Sequence, residues 1–250
     1  MAVQKIKVPK KNIEKTGEIL SAFERLKTWT EEHAVAVSIC VVLIALIPLV
    51  FWGVGMYEQS QERKGREAYA LIFENWSDKD ISDSNAWGGI IPKLEKCISE
   101  HSGTLAAMDA RLDLAQAFFR VGRYEDARKL SAEVVEKTGP DNDLKPLARY
   151  QLAQSSETLG KVDEAVAEWE ALRKEQLSGL NREVDWHLAD LYAKKGDYSK
   201  AVSHYESALD ASGSYPTTPM LQEGLAFAKT KIESAGGSTK EKGAKADSPG

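Results

Sequence analysis

The chain has 250 residues, a formal net charge of −5 at pH 7 and 28% charged residues. Outside one uncharged stretch, this composition is typical of a soluble globular protein of one or two domains. Residues 58–250 carry a net charge of −7, which argues against nucleic-acid binding because phosphate contacts require a Lys/Arg footprint. Two cysteines, Cys40 and Cys97, are too few for a disulfide framework.

An uncharged stretch of 24 residues, Ala34–Tyr57, follows a short N-terminal segment, residues 1–33. As a helix this stretch is about 36 Å long, enough to cross a hydrocarbon core of about 30 Å. Trp29, Trp52 and Tyr57 lie where interfacial aromatic residues are expected. The sequence therefore predicts one transmembrane helix over residues 34–57.

Three other interpretations of the uncharged stretch fit the sequence less well. A cleaved signal peptide has a shorter apolar core, and 33 residues precede this one. A bacterial lipoprotein carries its cysteine directly after the apolar core, whereas Cys40 lies early in the stretch behind Ile39. A buried core helix is rarely uncharged over 24 residues.

The orientation of the predicted transmembrane helix is not decided by local charge. Three Lys/Arg lie on each side within about 20 residues. The short N-terminal segment as a whole is net basic, with seven Lys/Arg and five Asp/Glu, and long domains translocate largely regardless of charge. We therefore expect residues 1–33 to be a cytoplasmic tail and the large domain to lie across the membrane.

Three segments of the main domain share one pattern. Each has Leu-Ala, then Gly seven residues after that Ala, then Ala five residues further on. The segments are LAQAFFRVGRYEDA, LAQSSETLGKVDEA and LADLYAKKGDYSKA, and their glycines, Gly122, Gly160 and Gly196, are 38 and 36 residues apart.

Apolar residues on one helical face precede each glycine, which predicts a helix that ends in a left-handed residue before a second helix begins. Alanines such as Ala115 and Ala127 predict close contact between the two helices. A lone hairpin leaves apolar surface exposed, so we expect the hairpins to stack into an array.

This pattern resembles the tetratricopeptide repeat family, in which a Leu-Gly/Ala pair, two aromatic residues, a Gly and an Ala occur at these offsets. Residues 108–139 and 182–213 match it well, and the middle repeat departs from it at Ser156 and Val162. Together with the uncharged stretch, the resemblance implies an all-α chain with a single N-terminal transmembrane helix followed by a tetratricopeptide-repeat-like α-solenoid.

The repeats divide the remainder of the chain into three parts. REAYALIFENW and WGGIIPKLEKCISEHSGT predict a degenerate, membrane-proximal repeat over residues 58–104. The array follows over residues 105–234 and ends in PMLQEGLAFAKTKIE, a capping helix of the kind such arrays require. Residues 235–250 have few apolar side chains and predict a disordered tail.

The sequence contains no pattern of a catalytic or cofactor site. The histidines, His33, His101, His187 and His204, form no metal-spaced pair. Neither a phosphate-binding glycine loop nor a Gly-x-Ser-x-Gly motif occurs. Cys97 lies on the apolar face of its predicted helix, as a buried structural cysteine does. We therefore expect no enzymatic activity, no cofactor and no bound metal.

The first helix of each hairpin is expected to line the concave face of the array. In the tetratricopeptide repeat family, partner-binding positions flank the core positions on these helices, and the resemblance carries them onto this sequence. Phe119, Tyr150 and Trp186 form an aromatic stripe suited to an extended or helical protein segment, unless they pack between repeats. We expect five positions to bind a partner: Phe119, Tyr150, Gln154, Trp186 and Asp190. The remaining positions carried over are Leu112, Asp113, Gln116, Gln151, Glu157, His187 and Lys194.

A second resemblance covers residues 20–235. FERLKTWTEEH, one membrane helix, EQSQERKGREAYALIFE and KPLARYQLAQSSETLGKVDEAVAEW are similar to the YfgM-like family. Membership would imply a bacterial inner-membrane protein with a periplasmic repeat domain, partnered by Sec translocon subunits and periplasmic chaperones, including a membrane-anchored peptidyl-prolyl isomerase. Two other functions stay open: an envelope-assembly scaffold for outer-membrane biogenesis or cell division, and an enzyme whose site the sequence does not reveal.

Overall fold

The structure, a computed structural model, describes residues 10–77, 79–140, 142–175 and 179–244. All regular elements in these ranges are helices, so the predicted all-α fold is confirmed. The chain divides into two compact units, Met1–Ser60 and Gln61–Gly250.

The first unit contains α1, Lys10–Glu32, and most of α2, Ala34–Ile72. The most apolar window of α2 has a mean hydropathy of 3.0, and none of that window is buried. By length and composition, α2 is therefore a candidate membrane span. The helix does not end with the uncharged stretch at Tyr57 but continues through the charged residues that follow it.

The second unit is an array of helical hairpins. The last turns of α2 share an apolar cluster with α3, and in the described part of the chain three hairpins follow before a single long helix closes the array. The degenerate repeat expected over residues 58–104 stays a prediction. Each helix from α3 onward packs against the next one in the chain, and α4 also contacts α6. The helices are α3 (Ser84–Glu100), α4 (Leu105–Arg120), α5 (Tyr124–Lys137), α6 (Leu144–Thr158), α7 (Val162–Glu175), α8 (Asn181–Lys194), α9 (Tyr198–Asp210) and α10 (Thr218–Ala244), with a short 3₁₀ helix at Asp80–Ser82.

The bend of each hairpin is made by the glycine that the pattern singles out. The φ angles of Gly122, Gly160 and Gly196 are 81°, 72° and 78°. These angles lie in the left-handed region, which is low in energy only for glycine. In the first hairpin, the backbone N–H of Arg123 donates to the Phe118 carbonyl at 2.8 Å. The same bond recurs in the other two hairpins and closes the helix end in the Schellman geometry.

Small residues set the spacing between the two helices of a hairpin. Ala115 and Ala127 are 0% and 1% exposed, and their equivalents in the other two hairpins are also buried, which confirms the predicted close contacts. In the middle hairpin, Ser156 takes the position of an aromatic residue and is fully buried. On the second helix of this hairpin, Trp169 is also fully buried.

A buried arginine fixes the connection between α9 and α10. Arg182 on α8 is 4% exposed, and its guanidinium donates to the carbonyls of Pro216, Ala208 and Ala211 and to the Thr218 hydroxyl at 2.9 to 3.1 Å. Because a buried charge is costly unless it is hydrogen-bonded, these bonds hold the capping helix in place.

The predicted disordered tail overlaps the capping helix. Helix α10 runs to Ala244 and so includes residues 235–244, while residues 245–250 lie outside the described part of the chain. The disorder expected for residues 235–250 stays a prediction.

Candidate partner-binding face

The five side chains predicted to bind a partner all come from first helices. Phe119 is on α4, Tyr150 and Gln154 are on α6, and Trp186 and Asp190 are on α8; all five are partly buried. We call the surface formed by these five residues the first-helix face.

Tyr150 is held between two hairpins. Its hydroxyl donates to Glu183 Oε1 at 2.6 Å and accepts from the Gln154 amide at 2.9 Å. Its ring meets Trp169 edge to face, with centroids 5.2 Å apart. Burial, and after it the hydrogen bond to Glu183, raises the pKa of the Tyr150 hydroxyl. Tyr150 and Gln154 are therefore committed to contacts within the array.

His187 completes the same polar cluster. Its Nδ1 lies 2.9 Å from Glu157, its Nε2 lies 3.9 Å from Glu183, and its ring stacks on Trp169 at 4.3 Å. Burial lowers the pKa of His187, but the hydrogen bond to Glu157 and the nearby Glu183 carboxylate outweigh that effect, so the net direction is upward. When protonated, the ring places its positive charge between Glu157 on α6 and Glu183 on its own helix, α8, and Lys194 lies 3.5 Å from Glu157.

Asp190 is also engaged inside the array. It accepts a hydrogen bond from the Tyr205 hydroxyl across the third hairpin. Burial raises the pKa of Asp190, and the hydrogen bond from Tyr205 opposes that rise only in part. This carboxylate therefore joins α8 to α9, and its role in the structure is to connect the two helices of its own hairpin.

Phe119 and Trp186 are less constrained than the polar members of the face. Phe119 meets Tyr124 edge to face across the Gly122 bend at 5.2 Å, whereas its neighbour Phe118 is buried, 7% exposed. Trp186 meets the exposed Tyr215 edge to face at 5.5 Å. These two rings make no side-chain hydrogen bond in the described part of the chain, so they are the members of the face best placed to contact a partner.

Three contributors to this region are absent from the predicted set. Glu183 and Trp169 organise the polar cluster described above. Tyr69 extends the region toward α2 by donating a hydrogen bond to Asp113, whose pKa is raised by burial. Moving the α4 face positions back by one repeat does not reach Tyr69, and the pairings of Glu183 and Trp169 depend on how successive hairpins stack.

The described residues contain no group of three or more His, Cys, Asp and Glu side chains able to hold a metal ion. Cys97 is 3% exposed, and burial raises the pKa of its thiol. A buried thiol that resists ionisation is a packing residue.

Comparison with known proteins identifies the repeat type. The sequence profile of the family described as "Tetratricopeptide repeat-like domain" matches residues 27–229, and no curated protein matches the chain. A tetratricopeptide repeat protein from Parabacteroides merdae is 14% identical with a TM-score of 0.55, over 67% of this chain and 61% of that one. A structure of nearly identical TPR-like repeats of a kinesin light chain from Podosopora anserina is 19% identical with a TM-score of 0.50, over 73% and 90%. MamA from AMB-1 is 20% identical with a TM-score of 0.50, over 62% and 80%. At these identities the likeness is one of fold.

Proposed function

We propose that this chain, which belongs to the tetratricopeptide repeat-like domain family, is a membrane-anchored scaffold that binds protein partners through its first-helix face. Arrays of this kind are typical interaction scaffolds, because stacked hairpins present a continuous row of first helices. The aromatic and polar side chains of the first-helix face suit the binding of a protein segment, and among the described residues they form no catalytic arrangement.

One observation carries the proposal: the first-helix face combines a fixed polar cluster with two partly exposed aromatic rings. The hydrogen bonds between Tyr150 and Glu183 and between His187 and Glu157 preorganise the centre of the face. Phe119 and Trp186 flank that centre, and their side chains form no hydrogen bond in the described part of the chain. Partly exposed aromatic rings on a rigid support are the side chains that contribute most to protein–protein affinity.

The anchor in this proposal is the uncharged part of α2. Its apolar side chains are exposed over the whole of the most apolar window, which suits a lipid surrounding better than a protein core. We place residues 1–33 in the cytoplasm and the array in the periplasm of a bacterial cell, following the charge of the N-terminal segment and the YfgM-like resemblance. A periplasmic reporter fused after Lys231 is expected to be active, and cytoplasmic activity of that fusion would overturn the placement.

The partners in this proposal are Sec translocon subunits and periplasmic chaperones, including a membrane-anchored peptidyl-prolyl isomerase. This assignment is supported by the YfgM-like resemblance of residues 20–235. An envelope-assembly scaffold without a translocon link has the same anchor and the same face, so the identity of the partner separates the two.

Affinity capture of the full chain from solubilised membranes tests the partner assignment. We expect translocon or chaperone subunits among the recovered proteins, at levels well above those obtained with an unrelated single-span protein. Recovery of outer-membrane or division machinery alone would favour the alternative scaffold and eliminate the translocon assignment.

A further inference from the structure

The middle hairpin, α6 and α7, is joined to the third hairpin, α8 and α9, at two places on different sides of α8. Asp185 and His187 are two positions apart on this helix, so their side chains point about 200° away from each other at roughly 100° per residue. Asp185 contacts Arg173 on α7, and His187 contacts Glu157 on α6. We call the first pair the arginine contact and the second pair the histidine contact.

The arginine contact is built on a group that does not titrate near neutral pH. Arg173 donates through Nε to both carboxylate oxygens of Asp185, at 2.9 and 2.8 Å, and Asp185 is 1% exposed. From α9, His204 Nδ1 lies 3.0 Å from the same carboxylate. Because a guanidinium stays charged over the whole physiological range, the arginine contact keeps this side of the junction closed.

The histidine contact is built on a group that does titrate near neutral pH. His187 Nδ1 lies 2.9 Å from a Glu157 carboxylate oxygen, and Nε2 lies 3.9 Å from Glu183 on α8. From α7, the uncharged Trp169 stacks on the ring with centroids 4.3 Å apart. A neutral imidazole carries one N–H and a protonated one carries two, so only the protonated ring presents a hydrogen atom toward each glutamate.

The groups around His187 leave an excess of negative charge when the ring is neutral. Burial raises the pKa of Glu157, but hydrogen bonds from His187 and Lys194 outweigh that effect and lower it. The neighbouring His187 also lowers the pKa of Glu183, against burial. Asp190 adds a third carboxyl group, hydrogen-bonded to a tyrosine of α9. In the described part of the chain, the ammonium group paired with this cluster is that of Lys194, 3.5 Å from Glu157 and 57% exposed.

Loss of the proton on the ring therefore weakens one side of the junction only. Glu157 and Glu183 belong to the middle and third hairpins, and their charges repel each other across a neutral ring. One hydrogen bond with a neutral donor, from Tyr150 to Glu183 at 2.6 Å, remains on that side. Since the arginine contact is unaffected, the two hairpins are expected to separate at the histidine contact and to turn about the arginine contact.

The histidine contact lies within the first-helix face. Tyr150 and Gln154 are on α6, whereas Trp186 and Asp190 are on α8, so the junction separates the two pairs. The ring centroid of Trp186 is 4.6 Å from that of His187. A turn at this junction therefore changes the spacing of the side chains that a partner would contact.

We propose that the junction between the middle and third hairpins is a proton-operated hinge, closed when His187 is protonated and open at the first-helix face when His187 is neutral. The closed state keeps the side chains of the face in the arrangement described above, so partner binding is favoured at lower pH. The effect on binding rests on the proposed function, whereas the hinge is a property of the array itself.

Fluorine NMR of the full chain in detergent, with fluorotryptophan in place of tryptophan, tests the hinge. Trp169→Phe identifies the resonance of Trp169, which is 0% exposed and stacked on His187. At about pH 5.5, below the ordinary pKa of histidine, this resonance is expected to be the same in light and heavy water. At about pH 9, well above that pKa, a solvent isotope shift is expected because the open hinge admits water to the ring. Its absence at both pH values would overturn the hinge.

Three variants tie the opening to His187. His187→Gln cannot be protonated and is expected to show the solvent isotope shift of Trp169 at both pH values. Glu157→Gln removes a carboxylate that stabilises the proton, so the midpoint of the transition is expected to fall by about one pH unit. His204→Gln, at the histidine beside Asp185, is the matched control and is expected to keep the midpoint of the wild type. A transition that persists in His187→Gln would contradict the proposal, and circular dichroism checks that each variant stays helical.

Partner capture from solubilised membranes at the same two pH values tests the effect on binding. Recovery by the wild type is expected to be about five-fold lower at the higher pH, because only the closed fraction binds, and His187→Gln is expected to recover the same low amount at both. Equal recovery by the wild type at both pH values would contradict control of the face by the hinge. If no partner is recovered at either pH, the proposed function fails, while the Trp169 resonance still decides the hinge.

Discussion

At the scale of single residues, the first-helix face is held together by hydrogen bonds that join residues far apart in the sequence. Tyr150 and Glu183 come from different hairpins and share a bond of 2.6 Å. Glu157 and His187 also come from different hairpins, and His187 Nδ1 lies 2.9 Å from a Glu157 carboxylate oxygen. These bonds cross from one hairpin to the next, so they couple the stability of the array to the shape of its binding surface.

Removal of the Tyr150 hydroxyl is expected to destabilise the array. Tyr150→Phe removes the hydroxyl that donates to the partly buried Glu183 carboxylate at 2.6 Å, and we expect the free energy of unfolding to fall by about 1.5 kcal/mol. Denaturant titration of the full chain in detergent, followed by circular dichroism, measures the change. Tyr198→Phe on α9 is the control, because its hydroxyl has no hydrogen-bond partner in the described part of the chain, and an equal loss in both variants would contradict this account.

Protonation of His187 is expected to make stability depend on pH. Burial lowers the pKa of His187, but the carboxylates of Glu157 and Glu183 outweigh it and raise the folded-state pKa, so the stabilising effect of the protonated ring is complete below the unfolded pKa of about 6.5. That contribution is lost as pH rises through the folded pKa. The free energy of unfolding should therefore fall more steeply above pH 6.5 in the wild type than in His187→Gln, and parallel curves would show that His187 stays neutral.

At the scale of elements, the turn glycines explain why the bends of the hairpins could be predicted and the end of α2 could not. The Leu-Ala, Gly and Ala spacing defines the three bends, since only a left-handed residue allows the second helix to fold back on the first. The end of α2 had no such signal. Charged residues after Tyr57 end the apolar stretch, but Glu62 accepts a hydrogen bond from the Leu105 backbone N–H at 2.8 Å, and the helix continues into the array.

The bend of the middle hairpin is expected to be sensitive to a single methyl group. Gly160 has a φ of +72° with nothing within 4 Å of an added Cβ, so Gly160→Ala introduces backbone strain alone and is expected to cost about 1 kcal/mol of unfolding free energy. Gly139→Ala, at a glycine with equal space and no positive φ, is expected to be neutral or stabilising by about 0.5 kcal/mol. Thermal or chemical denaturation compares the two, and an equal effect would refute the role of the left-handed conformation.

The contacts between hairpins mark the limit of what the sequence could predict. The alternation of core and face positions placed Phe118 in the core and Phe119 beside it, and the structure has them in that order. The pairing of Tyr150 with Glu183 depends on the rotation between hairpins, which no local spacing encodes. Tyr150, Gln154 and Asp190 therefore remain predicted partner-binding residues that the structure also engages in its own packing.

At the scale of the whole molecule, the chain combines one apolar helix with an array of helical hairpins. The first-helix face carries aromatic rings around a polar cluster.

The most direct test of the central proposal compares partner recovery between variants of the full chain captured from membranes. Phe119→Ala with Trp186→Ala is expected to lower recovery of the captured partner at least ten-fold, because two interface aromatic residues together contribute more than about 1.4 kcal/mol of binding free energy. Phe227→Ala, at an aromatic residue that is 53% exposed on the capping helix, is expected to leave recovery unchanged. Equal recovery from the double variant and the control, with both folded, would contradict the assignment of the first-helix face as the binding surface.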